Sequence, residues 1–197
     1  MLWEIKMIIQ STKKLQDFIG IKTDNIPTDE ESINLWHGNI FMIGRRKCLL
    51  LTHNESYYSL FIYGITKKDI KDLSQIIKKQ LTELLRRDEF SLVHILKLTE
   101  RVETIAYAKT SDRKVLGVMN DMVHILKYYN MTEDELSLSA RMNHTPYKRK
   151  GFAFPVDELK SFLNNLPSHR LQTSIDEVKR GDTVKYNSVE DMMKDLK

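Results

Sequence analysis

Apolar positions concentrate in three short runs between residues 35 and 63. The first two runs, Leu35–Ile43 and Lys47–Thr52, flank a turn that contains Gly44, Arg45 and Arg46, and the third lies between Tyr57 and Tyr63. Short apolar runs separated by a glycine-containing turn are typical of paired antiparallel strands. The pattern therefore predicts a β-meander of three strands whose first turn is basic.

Helical spacing of apolar residues is clearest between Thr66 and Arg87. Positions Ile70, Leu73, Ile77, Leu81 and Leu84 step by three and four, which places them on one helical face. Shorter patterns predict further helices over residues 90–98, 116–129, 132–140 and 156–163.

The remaining segments complete an α+β pattern. Residues 3–10 and 102–109 are apolar enough for two further strands, and Ser11 or Thr12 can cap a helix that ends at Gly20. We therefore predict an α+β fold in which an antiparallel sheet, built on a hairpin or meander, packs with several helices. Pro167 marks the predicted boundary between a body, residues 1–167, and a C-terminal helical arm, residues 168–197.

Composition narrows the class of protein. No apolar run approaches the ~20 residues that cross a bilayer, and the N-terminus lacks the basic start and cleavage site of a signal peptide. Cys48 is the single cysteine, which excludes an internal disulfide and a cysteine zinc cluster and fits a reducing compartment. We therefore expect a cytoplasmic protein that makes no use of the membrane.

The sequence contains no recognisable catalytic or cofactor motif. The six histidines lack metal-ligand spacing, and no P-loop, GxGxxG or GxSxG sequence is present. His37 or His53 could approach Cys48 across the hairpin, but a buried structural thiol is the favoured interpretation. We predict no catalytic residue, no metal and no cofactor, so an enzyme is the less favoured alternative.

The net charge of +4 is unevenly distributed. The last thirty residues hold six Lys/Arg and six Asp/Glu, so the whole excess lies in the body. It concentrates in three clusters, Arg45-Arg46-Lys47, Arg86-Arg87 and Lys148-Arg149-Lys150. Clusters of this kind attract phosphates, but they are more often simply solvated turns.

A second polar stretch, residues 109–121, leads into a predicted helix start, where free backbone N–H groups could bind an anion. Polar residues then recur along one helical face, opposite an apolar face: Asn120, His124 and Lys127 against Met119, Met122, Val123 and Leu126. This polar face either lines a site or is the solvated side of a helix that Asp112 caps, and we favour the second interpretation. The candidate polar or anion site consists of Arg45, Arg46, Lys47, Arg113, Asn120, Asp121 and His124.

The body, about residues 1–165, resembles a bacterial domain family of unknown function. Members of that family share a W-x-x-N strand, an R-R-K-C turn, an R-x-V-L-G-S-M-N-D motif and a late N-x-x-P element. The matching positions are Trp36, Asn39, Arg45, Arg46, Lys47, Cys48, Arg113, Val115, Leu116, Gly117, Met119, Asn120, Asp121, Asn143 and Pro146. Val118 stands where the family usually has serine. The resemblance implies a single fold for the body and no particular activity.

The arm has a different resemblance. Its apolar residues form two short stripes: Leu171, Ile175 and Val178, then Val189, Met192, Met193 and Leu196. The arm resembles the C-terminal arm of RelB-type antitoxins, whose pattern is kept at Glu177, Gly181, Tyr186, Ser188, Glu190 and Leu196. The ribbon-helix-helix half of such antitoxins is not visible in this sequence.

The second resemblance implies a non-catalytic, antitoxin-like binding protein whose arm neutralises a small basic RelE-type toxin. The expected partner-binding residues are the apolar anchors Tyr186, Val189, Met192, Met193 and Leu196 and the acids Glu190, Asp191 and Asp195. Two alternatives stay open. One is a nucleic-acid-binding module that uses the basic turns, and the other is an enzyme that acts on a nucleotide or phosphorylated substrate. The sequence does not indicate the oligomeric state.

Overall fold

A computed structural model describes residues 6–23, 25, 30–110, 112–129, 133–148 and 151–166 of the chain. The strands in chain order are β1 (Met7–Ser11), β2 (Leu35–Ile43), β3 (Arg46–His53), β4 (Ser59–Tyr63), β5 (Ile105–Lys109), β6 (Tyr147–Lys148) and β7 (Phe152–Ala153). The α-helices are α1 (Lys13–Ile19), α2 (Leu73–Arg87), α3 (Leu92–Thr99), α4 (Arg113–Tyr129), α5 (Glu135–Asn143) and α6 (Pro155–Asn165).

Five strands form the main sheet, in the order β4-β3-β2-β1-β5. Strands β2, β3 and β4 are the predicted antiparallel meander, whereas β1 runs parallel to both β2 and β5. The α+β class is confirmed, and the sheet is mixed. A helical segment separates β1 from β2, and the meander with helices α1, α2 and α3 separates β1 from β5; connections of this length allow parallel pairing. Strands β6 and β7 form a separate two-stranded hairpin.

The meander has two buried faces because helices cover the sheet on both sides. On one face Phe41, Leu50 and Phe61 belong to a cluster that also contains residues of α4 and α5, among them Met119 and Leu138. On the opposite face α1 approaches β2 at Gly38. A Cβ atom at Gly38 would lie 2.6 Å from side-chain carbons of both Ile9 and Leu15, so glycine permits this close packing.

The helices follow the predicted periodicity, but some of their bounds differ. Helix α4 begins at Arg113 rather than at residue 116, and α5 spans Glu135–Asn143 rather than residues 132–140. Residues 73, 77, 81 and 84 are buried in α2 as predicted, but the α-helix begins at Leu73 rather than at Thr66. Asp69 accepts hydrogen bonds from the backbone N–H of Thr66 at 2.6 Å and from its hydroxyl at 2.7 Å. These bonds fix a turn, and a 3-10 segment, Asp69–Asp72, then leads into α2. Gly20 ends α1 with a positive φ of 82°, as the sequence predicted.

Side chains of α5 bond the backbone of β4, the strand at one side of the sheet. Asn143 accepts from the backbone N–H of Ser59 at 2.7 Å and donates to its carbonyl at 3.0 Å. Ser139 accepts from the N–H of Phe61 at 3.0 Å, and Glu135 accepts from the backbone of Tyr63. The three side chains are spaced four residues apart along α5, a rise of about 6 Å. Their partners are spaced two residues apart along β4, a rise of about 6.7 Å, so the spacing of the donors and acceptors is nearly the same on both elements. We call this contact the β4 edge.

Apart from residues 165 and 166, the described fold lies within the first of two units of the chain, Met1–Asn164. The predicted arm, with Tyr186, Val189, Glu190, Asp191, Met192, Met193, Asp195 and Leu196, lies outside the described residues. Arg149, Lys150 and the start of the first predicted strand lie outside them as well. Within the part of the chain that is described, no helix has the length and apolar character needed to cross a membrane.

Candidate functional site at the basic end of the sheet

The three parallel strands β1, β2 and β5 run toward the same end of the sheet. Ser11, the last residue of β1, lies in register with Gly38 of β2 and with Lys109, the last residue of β5. From this end β1 continues into α1 on one face, and β5 continues into α4 on the other. In sheets of parallel strands, ligands bind outside the carboxyl ends, where successive connections leave toward opposite faces. A ligand site is therefore expected at this end of the sheet.

Exposed cations concentrate at this end of the sheet. They come from three segments, residues 12–19, 44–47 and 109–114. We define the basic end by their eight exposed cations: Lys13, Lys14, Arg45, Arg46, Lys47, Lys109, Arg113 and Lys114. The described residues of the same segments contain two acids, Asp17 and Asp112.

Both acids make contacts within the protein. Asp17 pairs with Lys13 at 2.9 Å, one turn along α1. Asp112 Oδ1 accepts from the backbone N–H of Lys114 at 2.7 Å and of Val115 at 3.4 Å, and so caps α4. The positive charge at the basic end therefore exceeds the negative charge by a wide margin, which favours attraction of polyanions.

Contacts hold two of the three segments, α1 and the turn after β2, in place. Strand β2 continues past the end of β1, and the turn after it carries Arg45. The Nζ atom of Lys47 lies 4.9 Å from the ring centre of the buried Phe18 of α1, a cation–π distance. Thr12 donates from Oγ1 to Asn39 Oδ1 at 3.0 Å, which ties the start of α1 to β2. The cations of α1 and of the turn therefore project from a defined framework.

Behind the basic end, a row of buried polar residues crosses the sheet. Gln10, His37, Thr52 and Ser59 are neighbours in register on four strands, and each is fully buried. Thr52 and Ser59 share a hydroxyl hydrogen bond of 2.8 Å. This row supports the framework from inside and does not reach solvent.

His37 is the titratable member of this row. Its Nδ1 is 2.7 Å from Asn54 Oδ1, and an amide oxygen only accepts, so Nδ1 carries the proton. Burial lowers the pKa of His37, while the bond to Asn54 and the charge of Asp112 oppose that shift. The neutral imidazole is therefore the native form at pH 7, and His37 acts as a structural group beneath the site.

The structure separates the predicted candidate residues into two groups. Arg45, Arg46, Lys47 and Arg113 belong to the basic end. Asn120, Asp121 and His124 lie farther along α4, beginning about 10 Å of helix axis beyond Arg113, and all three are exposed. Residues 119, 122, 123 and 126 are buried, so α4 has the predicted polar and apolar faces. Burial raises the pKa of Tyr147, and the charge of Asp121 adds to this shift.

Sequence reasoning missed Lys13, Lys14, Lys109 and Lys114 as members of one site. They are far apart in sequence, and only the parallel register of β1 with β5 brings Lys13 and Lys109 to the same end. The sequence did contain an indication of this grouping. Lys13 and Lys14 follow the predicted strand 3–10, and Lys109 and Lys114 follow or end the predicted strand 102–109, in each case within five residues of the strand end.

Cys48 is a buried structural thiol, as favoured from the sequence. It is fully buried, and burial raises the pKa of the thiol, which disfavours the nucleophilic thiolate. Its strand neighbours are Phe41 and Tyr63, whereas His37 pairs with Thr52 and His53 with Trp36. Over the described ranges, no group of three or more His, Cys, Asp or Glu side chains is arranged to hold a metal ion.

A family model described as a domain of unknown function (DUF6933) matches residues 8–158. The matched region runs from β1 into α6 and includes the three segments that form the basic end. No curated protein matches the chain.

Proposed function

The chain belongs to the DUF6933 family of domains of unknown function, and we propose that it is a nucleic-acid-binding module whose basic end holds the phosphate backbone. One observation carries the proposal. Eight exposed cations from three separate segments lie at one end of the sheet, and the two acids of those segments are engaged within the protein. This is the charge pattern that a polyanion recognises.

The chemistry of the basic end favours contact with phosphates over contact with bases. Lysine and arginine side chains pair with phosphate oxygens and release condensed counterions, so affinity falls steeply as salt rises. Phe18, the aromatic residue of the three segments, is buried beneath Lys47 and offers no stacking surface. Phosphate contacts fix orientation and carry no direct sequence information. We therefore expect binding that tolerates many sequences.

Salt-dependent binding of a labelled 20-base-pair duplex to the full chain tests this proposal. The triple variant Arg45→Gln, Arg46→Gln, Arg113→Gln should bind at least tenfold more weakly. Its plot of log affinity against log salt should be shallower by about 3, roughly one per phosphate contact. The matched control, Lys67→Gln, Lys71→Gln, Lys79→Gln, removes the same charge from exposed positions on and before α2 and should keep most of the affinity. Equal losses in both variants, or wild-type binding that ignores salt, would contradict the proposal.

As a second candidate we propose that the arm, residues 168–197, binds a small basic toxin. The family match ends at residue 158, so the arm follows the matched domain rather than forming part of it. Its stripe of Val189, Met192, Met193 and Leu196 suits a groove on a partner, by the helix-in-groove mode. Glu190, Asp191 and Asp195 suit the basic surface of a messenger-RNA-cleaving toxin.

Co-purification of the full chain with a small basic protein encoded beside it tests the second candidate. The double variant Met192→Glu, Met193→Glu should abolish the complex, because it places charges on the proposed apolar contact. The control Lys194→Gln changes the charge next to these positions and should keep the complex. Unchanged binding by the double variant, or a partner that never binds the wild type, would overturn this candidate.

A further inference from the structure

We infer that the cavity between the C-terminal end of α2 and helix α5 is a second ligand site, and that it binds a small molecule carrying a phosphate group. The cavity has a volume of about 550 Å³. Its lining includes Arg87, Asp88, Ser137, Arg141, His144 and Thr145. None of these residues belongs to the basic end.

A buried carboxylate orients an imidazole at this cavity. Asp88, whose side chain is 1% exposed, lies 3.2 Å through Oδ1 from Nε2 of His144. Its Oδ2 accepts the hydroxyl hydrogen of the buried Tyr58 at 2.7 Å. An ionised carboxylate only accepts hydrogen bonds, so Nε2 of His144 carries a proton and Nδ1 is left for another partner. His144 has 57% of its side chain exposed, so its ring is reachable from the cavity.

Burial of Tyr58 supports the role of Asp88 as an acceptor. The pKa of Tyr58 is raised, first by burial and then by the charge of Asp88 and the bond to it. Tyr58 therefore keeps its proton, and its hydroxyl donates a hydrogen bond to Asp88. A carboxylate held from behind in this way fixes the orientation of an exposed histidine, as it does where histidines serve as ligands or proton carriers.

Two arginines add donors to the same cavity. Arg87 donates from Nη1 to Ser137 Oγ at 3.0 Å, and Arg141 donates from Nη2 to Glu133 at 2.5 Å. A guanidinium has five N–H donors, and each of these bonds uses one. Two planar cations and one imidazole around a single cavity suit a phosphate group, which offers several acceptor oxygens in different directions.

Negative groups around the cavity determine whether a substitution there should strengthen or weaken phosphate binding. Asp88 and Glu133 lie in its lining, and Asp134 accepts from the backbone and hydroxyl of Ser137. Glu133 is the acid paired with Arg141, and both side chains are partly exposed. A bound phosphate therefore competes with Glu133 for Arg141, and removal of that carboxylate should strengthen binding.

The test is a titration of the full chain with inorganic phosphate at constant ionic strength, followed by the NMR signals of the histidine rings. The ring signals of His144 should shift and saturate, while those of His94 on α3 should not. Glu133→Gln should tighten binding several-fold, and Arg141→Gln should weaken it at least tenfold. The matched control Asp157→Asn removes a negative charge from an exposed position on α6 and should leave the affinity within twofold.

Three outcomes of the phosphate titration would overturn the inference. They are a shift that never saturates, an equal shift at His94, and equal effects of Glu133→Gln and Asp157→Asn. A further arm separates the two sources of phosphate. The triple variant at the basic end should bind inorganic phosphate at His144 as the wild type does. A DNA duplex without terminal phosphates should leave His144 unchanged, and a shift caused by the duplex but not by phosphate would assign the cavity to the nucleic-acid surface instead.

Discussion

The β4 edge and the basic end use polar side chains in opposite ways. At the β4 edge, Ser139 and Asn143 are fully buried, and both bond the backbone of an adjacent strand. At the basic end, eight cations are exposed, and Lys13–Asp17 is the one ion pair that they form with the described residues.

This difference separates stability from binding. Removal of one partner from a buried hydrogen bond leaves the other unsatisfied, which costs stability. Removal of an exposed charge changes stability little, but it removes a contact that a polyanion could use. Substitutions at the β4 edge should therefore change the free energy of unfolding, whereas substitutions at the basic end should change affinity.

The largest loss of stability is expected for Asn143→Ala. The substitution leaves both the N–H and the carbonyl of Ser59 without their partner in a buried environment. Urea denaturation should show a loss of about 2–4 kcal/mol in the free energy of unfolding. Asn120→Ala, at an exposed position of α4, is the control and should change it by less than about 0.5 kcal/mol. A loss at Asn143 no greater than at Asn120 would mean that the β4 edge is not held by this side chain.

A smaller loss is expected for Ser139→Ala, which removes the acceptor for the N–H of Phe61. One backbone group is orphaned instead of two, so the same measurement should give a loss of about 1–2 kcal/mol. Ser161→Ala removes a hydroxyl from an exposed position of α6 and provides the matched control. If Ser139→Ala proves as costly as Asn143→Ala, the number of orphaned groups does not determine the loss.

His37 should make stability depend on pH, because burial lowers its pKa in the folded state. The unfolded chain binds a proton near pH 6.5 and the folded chain only at lower pH. The contribution of His37 to the free energy of unfolding is thus fully present above about pH 6.5 and is lost as the pH falls below that value. Between pH 7 and pH 5 the free energy of unfolding, measured by denaturation, should fall less in His37→Gln than in the wild type. If the free energy of unfolding falls equally in the wild type and in His37→Gln, another group causes the pH dependence of stability.

The smallest effect on stability is expected for the triple variant Arg45→Gln, Arg46→Gln, Arg113→Gln. These side chains are exposed, so the free energy of unfolding should stay within about 0.5 kcal/mol of the wild type. Duplex binding should meanwhile fall at least tenfold. A loss of stability above about 1 kcal/mol would place these cations with the structural residues of the β4 edge.

The sequence predicted the parts of the fold that depend on nearby residues. The hairpin around Gly44 and the buried positions of α2 follow from local spacing. The parallel pairing of β1 with β5 could not be predicted in this way, because more than ninety residues separate the two strands. The residues of neither strand indicate which other strand it pairs with. Lys13 and Lys109 were therefore not recognised as neighbours. Asn143 and Ser59, 84 residues apart, were missed for the same reason, and the predicted role of the arm stays a prediction.

The match between α5 and β4 also determines where the chain can change in length. One residue inserted between Glu135 and Asn143 would rotate every later side chain by about 100° around the helix, so Asn143 would no longer face Ser59. Homologous sequences should therefore keep the eight-residue spacing of α5.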